Sequence, residues 1–425
     1  MARAMKDSGI EWIGEIPEGW KVSKVSTFFD IQLGKMLQPS QENESDTYES
    51  YLCAANLGNN KLKMEPLKQM WFSREDKEKF SVRCGDLLVV EGGDVASSDI
   101  IAEPVHGLYI QNALHRVRSR NGFELRFLRY YLSIAKASGH IDLICNKATI
   151  AHFTKDKFGA LPYVVVPLEE QKRIADYLDS ECARIDAVIE QTRASIEEYK
   201  KLKQAVITQA VTKGIRPGRK MKDSGNAEIG SIPDEWIEVK NSFLFRENVR
   251  VPREDSVPLS LSQADGLICT DDMKESSLKT STYEGWKRVE IGDLVLNRFK
   301  AHLGVFFAAT IVGMVSFHYG VYEPVTKLNS KFFEYLYHSD IYRGIYAHKS
   351  NGMTVGLQNL SNQNFYSVKS LVPPLEEQNE IVEYLDLKIS EIDALVLQKE
   401  QIIAELESYK KSLIFEYVTG KKEVR

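Results

Sequence analysis

Pro167 to Gln171 reads PLEEQ, and the same five residues return at Pro374 to Gln378, 207 positions later. The agreement runs on without a gap through Ile174 and Ile381, Tyr177-Leu178-Asp179 and Tyr384-Leu385-Asp386, and Ile185-Asp186-Ala187 and Ile392-Asp393-Ala394. It ends at Val211-Thr212 and Val418-Thr419. Nearer the front of each half the offset becomes 216: DSGIEWIGEIPEGW from Asp7 answers DSGNAEIGSIPDEW from Asp223. The second copy is therefore nine residues shorter, and the loss lies before Gly292-Asp293-Leu294, which already matches Gly85-Asp86-Leu87 at 207. The whole chain is an internal duplication.

After each PLEEQ the apolar pattern has a period of seven. Leu178, Ile185, Thr192, Tyr199 and Val206 hold one register of the first copy, with Cys182, Ile189, Ile196, Lys203 and Ala210 four residues later. In the second copy the registers are Leu385, Ile392, Lys399, Leu406 and Leu413, then Ile389, Val396, Ile403, Lys410 and Tyr417. A seam sustained over about four heptads favours coiled-coil pairing over an isolated amphipathic helix. Thr192, Lys203, Lys399 and Lys410 interrupt it, fixing register, meeting a partner, or snorkelling past the seam. Pro167 and Pro374, each followed shortly by Glu-Glu, suit a first helical turn, where no backbone hydrogen is missed and negative charge meets the positive end of the dipole.

Length sets the helix direction. Some 44 residues make a rod of roughly 66 Å, whereas a 160-residue domain is only about 40 Å across. A parallel pair would force that domain to span the rod, and an antiparallel hairpin would not. The expected fold is α+β: two globular domains with twisted β-sheets, 1–166 and 215–373, on an antiparallel coiled coil of two long helices, 167–214 and 374–425, with pseudo-twofold symmetry. This places VTGKKEVR at the end of the chain near MARAMKDSG at its start. The repeated Ile-Gly, Ile-Pro and Trp20 or Trp236 then mark the joint between rod and domain.

Composition excludes several classes. No run of 18 apolar residues exists and the first ten residues lack a signal-peptide core, so no membrane partner is expected and the cytoplasm is the expected compartment. Five scattered cysteines without a CxxC read as buried free thiols. The net charge of −5 is concentrated in residues 374–425, with 7 basic against 12 acidic residues, whereas 1–166 carries 21 of each. Near-neutral domains can still hold a one-sided basic face.

In the globular halves, strands are expected at Asp86–Val90, Leu108–Arg118, Pro162–Val166, Asp293–Leu296 and Val305–Val312, and helices at Leu125–Leu132 and Lys331–Tyr337. No catalytic signature is present: no GxGxxG after a strand, no GxxxxGK[ST], no HExxH, and no Asn-Pro-Pro or Asp-Pro-Pro for methyl transfer. The histidines show no metal-ligand spacing. What stands out is polar and basic. Gln111-Asn112 precede His115-Arg116, Arg118 and Arg120, and alternation puts the three arginines on one face of an extended run. Asn and Gln pair bidentately with adenine, and Arg with guanine. Gly92 and Gly93, between Glu91 and Asp94, would let backbone approach a phosphate or groove closely. In the second half Asn297, Arg298, Lys300 and His302 alternate in the same way. On a solvated strand edge the same charges would only keep that edge from pairing.

Together these features resemble the specificity subunit of type I restriction-modification systems, over nearly the whole chain. The likeness rests on LPYVVVPLEEQKRIADYLD and VKSLVPPLEEQNEIVEYLD, on IGEIPEGW and IGSIPDEW, and on GDLLVVEGGD, IQNALHRVR and GDLVLNRFKAHLG. VASSD after Asp94 departs from the Gly-Arg more usual there. The resemblance implies a non-catalytic subunit whose two target recognition domains read the halves of a bipartite site in double-stranded DNA. The coiled coil would seat two methylase subunits that modify adenine with S-adenosylmethionine. Restriction subunits using ATP and Mg would join for cleavage, with no cofactor on this chain. The competing class is a coiled-coil scaffold carrying two β-rich domains for peptide or carbohydrate ligands.

If the rod sets half-site spacing, four residues inserted near Thr192 and four near Lys399 lengthen it by about 6 Å, close to one turn, with the seam still facing inward. Methylome sequencing should then show the spacer longer by roughly 2 bp, at 3.4 Å per base pair, with both half-sequences unchanged.

Overall fold

The computed structural model describes residues 3–145, 151–263, 265–273, 283–350 and 359–424, so that Met1, Ala2 and Arg425 of the quoted terminal segments lie outside the described residues. The chain forms two units, Met1–Gln191 with Gln401–Arg425, and Thr192–Glu400. The expected boundaries follow elements of the chain, but contact divides it inside the two long helices. Each unit therefore takes a stretch of both.

Each unit opens with a short antiparallel hairpin, Met5–Asp7 with Glu15–Pro17 in the first and Met221–Asp223 with Ser231–Pro233 in the second. Between its strands the repeated Asp-Ser-Gly folds on itself. Asp7 Oδ1 accepts the Gly9 N–H at 2.9 Å and Ser8 Oγ the Ile10 N–H at 3.0 Å, and Asp223 and Ser224 do the same for Gly225 and Asn226. Such side chains mimic a backbone turn, which is why polar residues precede glycine there. The next strand, Lys21–Lys24 or Ile237–Lys240, pairs antiparallel with the strand that feeds the long helix, Pro162–Val165 or Lys369–Val372.

In the first unit a four-stranded antiparallel sheet runs in the order Ser98–Ile100, Leu87–Val90, Leu114–Ser119, Phe29–Leu33. Leu87 and Val89 join the core that includes Ile174, Leu178 and Ile185, whereas Leu88 and Val90 join Leu52, Met70 and Ile110 of a second core. A strand buried on both faces has no polar alternation, and LLVV shows none. The second unit repeats the plan with Phe245–Glu247, Tyr319–Pro324, Leu294–Asn297 and Phe306–Ala308. Leu294 and Leu296 face one core and Val295 another. The expected helices appear as Leu125–Ala137 and Ser330–His338. Two expected strands differ: Leu108–Arg118 is Leu108–Ile110 and Leu114–Ser119 with a turn at 111–113 between them, and of Val305–Val312 only Phe306–Ala308 is strand.

The long helices are Leu168–Lys213 and Leu375–Val418. In the first unit Tyr177 meets Tyr417 at 4.5 Å between rings and Asp186 takes Lys410 at 2.6 Å, so the two stretches run antiparallel. In the second, Lys203 pairs with Asp393 at 2.8 Å and Lys399 Nζ lies 5.5 Å from the Tyr199 ring. The interrupting lysines are thus paired across the helices, and the two Lys–Asp pairs are equivalent at an offset of 207. Leu178, Ile185, Ile189, Ile196, Leu385 and Ile392 are buried, while Val396, Ile403 and Leu406 are half-buried.

The second glutamate of PLEEQ ties rod to domain. Glu170 accepts the Trp20 indole N–H at 3.1 Å and the Arg3 guanidinium at 2.6 Å, and Arg3 also lies over the indole, 5.2 Å from its centre. Glu377, its side chain 1% exposed, takes the Trp236 N–H at 3.0 Å and a salt bridge from Arg219. The following glutamine clamps both ends of a junction. Gln171 Nε2 donates to Val166 O at 2.7 Å while its Oε1 accepts the Glu124 N–H at 3.0 Å, and Gln378 does likewise with Pro373 and Asn329 at 2.9 and 2.8 Å. The other long helix reaches the same tryptophan. Gly420 (φ 74°) has no room for a Cβ, which would stand 2.5 Å from Pro17 and 2.8 Å from Trp20, and Gly214 (φ 72°) is closed in by Arg219 and Trp236. Lys421 Nζ donates to Ile13 O and Glu15 O, and Lys213 to the equivalent carbonyls of Ile229 and Ser231.

The duplication departs from itself beside this joint. In the first unit Trp12 and Phe415 pack on the core, with Trp12 5.4 Å from Tyr131. Their counterparts Glu228 and Thr208 instead line an open groove of about 840 Å³ together with Ala205, Ile229 and Ile341.

Glu377→Ala should cost about 3 kcal/mol, because it leaves the buried Trp236 N–H without its acceptor and the Arg219 guanidinium with Glu235 alone. Asp393→Ala, which removes an exposed partner, should cost under about 1 kcal/mol. Urea midpoints at unchanged slope measure the contrast.

Candidate nucleic-acid interface

In the first unit the ends of two paired strands bring the candidate loops together. Leu87–Val90 leads into Glu91–Asp94, and Leu114–Ser119 follows the turn 111–113; the Glu91 N–H bonds Ala113 O at 2.9 Å. The turn closes through Leu114 N–H to Gln111 O at 2.9 Å. The Gln111 side chain accepts the Ala113 N–H at 3.2 Å and donates to Asn112 Oδ1 at 2.5 Å. Gln111 and Asn112 are thus two half-buried amides at a loop tip. Gly93 has φ 95°, a backbone that glycine adopts freely, while Gly92 bridges to His152, whose Nδ1 lies 3.0 Å from the Glu91 carboxylate. Asp94 is bonded by Lys136 and by the Asn59 N–H. Burial alone would raise its carboxyl, but these partners outweigh that and hold it below the usual range. With a carboxylate on each side of the glycines, this loop is poorly suited to a phosphate.

The basic run is largely internal, which corrects the sequence reading. His115 is fully buried, its Nε2 2.7 Å from Phe153 O, and desolvation pushes its pKa down. Arg116 is 6% exposed and donates to Lys79 O at 3.0 Å and Ser81 O at 2.6 Å. Arg118 forks onto Asp86 at 2.6 and 2.8 Å. Arg116 and Arg118 do share a face, but the strand is central in its sheet and the 79–86 segment covers that face. Arg120 lies beyond the strand, exposed, 3.4 Å from Asp30.

Strand register identifies the equivalent tip in the second unit. Leu87 opposes Val117 as Leu294 opposes Tyr322, so Gln111-Asn112-Ala113 correspond to Ser316-Phe317-His318 and Gly92-Gly93 to Phe299-Lys300. The turn closes in the same way, with Tyr319 N–H to Ser316 O at 3.1 Å. Its chemistry differs. Phe317 is 56% and Phe299 39% exposed, and the His318 ring lies 3.9 Å from the first and 5.8 Å from the second. Lys300 is exposed beside them. Arg298, proposed from sequence for base contact, is turned inward to Glu247 at 2.7 Å, which Lys287 also holds at 2.9 Å. Asn297 Oδ1 caps its own loop through the Phe299 N–H at 3.0 Å, and the partly buried His302 sits in the following turn. Sequence reasoning missed Phe317 and His318. The signal was SFH standing where the first copy has QNA.

The repeated Gly-Asp-Leu is a structural lock. Asp86 and Asp293 each accept an N–H three residues back, from Arg83 at 2.9 Å and Glu290 at 2.8 Å. Each also takes a guanidinium. Arg118 supplies it in the first unit. In the second, where Glu323 stands at the equivalent strand position, Arg250 spans Asp293 and Glu323 at 3.1 and 3.0 Å.

Among the described residues there is no His, Cys, Asp and Glu cluster able to hold a metal, and no helix long and apolar enough to cross a membrane. The cysteines are free. Cys145 and Cys182 are buried as expected, but Cys84 is exposed.

Residues 17–198 and 275–408 match the type I restriction modification DNA specificity domain family. A putative type I restriction enzyme MjaX specificity subunit of Methanocaldococcus jannaschii is 24% identical, over 97% of this chain and 96% of its own length. The type I restriction enzyme EcoKI specificity subunit of Escherichia coli is 21% identical, over 96% of this chain and 90% of its own. A solved chain described under complex assembly and conformational transition of the type I R-M system superposes with a TM-score of 0.70 at 16% identity, covering 95% of this chain and 98% of that one. The HsdS subunit from Thermoanaerobacter tengcongensis gives 0.52 at 16% identity, covering 96% and 98%. At these identities the structural likeness is one of fold.

Arg118→Ala should destabilise the chain by about 3 kcal/mol, since it leaves the buried Asp86 carboxylate with only the exposed Arg83 at 3.8 Å. Arg120→Ala should stay within about 0.5 kcal/mol. Chemical denaturation of the two variants side by side makes the comparison.

Proposed function

The chain belongs to the type I restriction-modification DNA specificity family, and from that premise we propose that it is the non-catalytic subunit that reads an asymmetric bipartite site in double-stranded DNA. One observation carries the reading: two units share their joints, strand registers and turns, yet end in unlike tips, two amides in one and two phenyl rings with a lysine in the other. A common scaffold with divergent tips suits two readers of different half-sequences. In this reading Gln111 and Asn112 of the first tip and Lys300 of the second face DNA, with Gly92, Gly93 and Asn297 in the same loops and His302 in the turn that follows; Arg120 is exposed but stands past the opposite end of the Leu114–Ser119 strand from the tip. His115, Arg116, Arg118 and Arg298 serve the fold.

Methyl transfer to adenine, with S-adenosylmethionine, belongs in this reading to two methylase subunits seated on the long helices. Restriction subunits that use ATP and Mg complete the complex. The neighbouring solved chain comes from work on assembly of such a system, which supports a multi-subunit setting.

Duplex DNA affinity of this chain with its methylase subunits should fall steeply as salt rises, because neutralised phosphates release counterions. The isolated chain should bind weakly and transfer no methyl group. A flat dependence of log K on log salt for the complex, or methyl transfer by the chain alone, would overturn the proposal.

A further inference from the structure

The tip of the second unit is apolar where that of the first is polar. Phe299 and Phe317 come from two different loops, converge on the His318 ring, and stay exposed, with Lys300 beside them. Solvent-exposed phenyl rings are costly on a free surface and mark a contact site when they cluster. Folding supplies no reason for them. The turn that carries Phe317 closes through backbone atoms, and the first unit builds the same turn with Asn112. Nor does the cluster offer the amide or bidentate guanidinium groups that read adenine or guanine edges, because Arg298 is held by Glu247. The one base feature that a phenyl ring recognises in the major groove is the thymine C5-methyl group. An adjacent ammonium group complements the phosphates that border the groove.

Resting on the DNA-reading function above, we propose that the second unit recognises its half-site through thymine methyl groups packed against Phe299 and Phe317. The half-site read by this unit therefore contains thymine at one or two positions, and Phe299 and Phe317 are its specificity-determining side chains. The first unit has Gln111 and Asn112 at the equivalent place; its exposed apolar side chains near the tip, Met36 and Leu37, are aliphatic and follow Lys35, which bridges to Gln111.

The test uses the complex with its methylase subunits and a labelled duplex bearing the site found by methylome sequencing. Thymines are replaced by deoxyuridine, which removes only the methyl group, in one half-site at a time. For one half, affinity should fall about 4-fold per contacted methyl group, the factor that corresponds to one buried carbon. The Phe299→Ala/Phe317→Ala variant should bind that half more weakly and no longer distinguish thymine from deoxyuridine. The Phe299→Leu/Phe317→Leu variant, which keeps an apolar surface, should still do so. Indifference of the native complex to deoxyuridine in both half-sites, or full sensitivity retained by the alanine variant, would each overturn the proposal. Loss of methylase subunits from the alanine variant on gel filtration would also overturn it, by showing that the rings face protein. Failure of the complex to bind duplex DNA at all would instead refute the DNA-reading function, whereas sequence-specific binding that ignores the methyl group refutes only the thymine contact.

Discussion

A carboxylate at the start of each long helix does more than favour the helix dipole. Glu170 and Glu377 are withdrawn from water and satisfied by an indole N–H and a guanidinium from the opening segment of the same unit. Desolvating a carboxylate is unfavourable unless its acceptor positions are met, so Trp20 and Trp236 stabilise the start of the helix where it lies. The same indoles pack against Gly420 and Gly214 at the far ends of the long helices. One side chain in each unit thereby fixes the start of one helix and the finish of the other.

Much of this was legible in the sequence, because it rests on period and repetition. The heptads and the two PLEEQ starts need only local reading, and the antiparallel pairing followed from chain length. What PLEEQ bonds to was not legible. The partners of Glu170 and Glu377 lie 150 and 141 residues away for the indoles, and no local rule connects them. The break at 111–113 was hidden for a related reason. Alternation runs straight through LYIQNALHRVR, and the turn is held by backbone bonds from Gln111 to Leu52 and from Asn112 to Lys35.

The interface was half legible. Alternation correctly placed Arg116 and Arg118 on one face, but whether a face is open depends on what crosses it, and here Lys79 and Ser81 do. Charge in sequence could not separate a guanidinium that locks Asp86 from one that waits for a base. Comparing the two copies does separate them. Positions with the same bonding role in both units, such as Asp86 and Asp293, are scaffold, whereas positions that keep the backbone turn while changing chemistry, such as Asn112 and Phe317, are the ones the proposed reading assigns to DNA.

The joint beside Trp12 breaks the duplication in a different way. An indole and a phenyl ring fill it in the first unit, while Glu228 and Thr208 leave the groove open in the second. Two copies of one partner, each approaching a unit by its joint, would meet a filled surface at the first and an open groove at the second. If the two methylase subunits of the proposed reading sit at the joints, their seats are inequivalent, so occupancy of the two would differ in strength and in order.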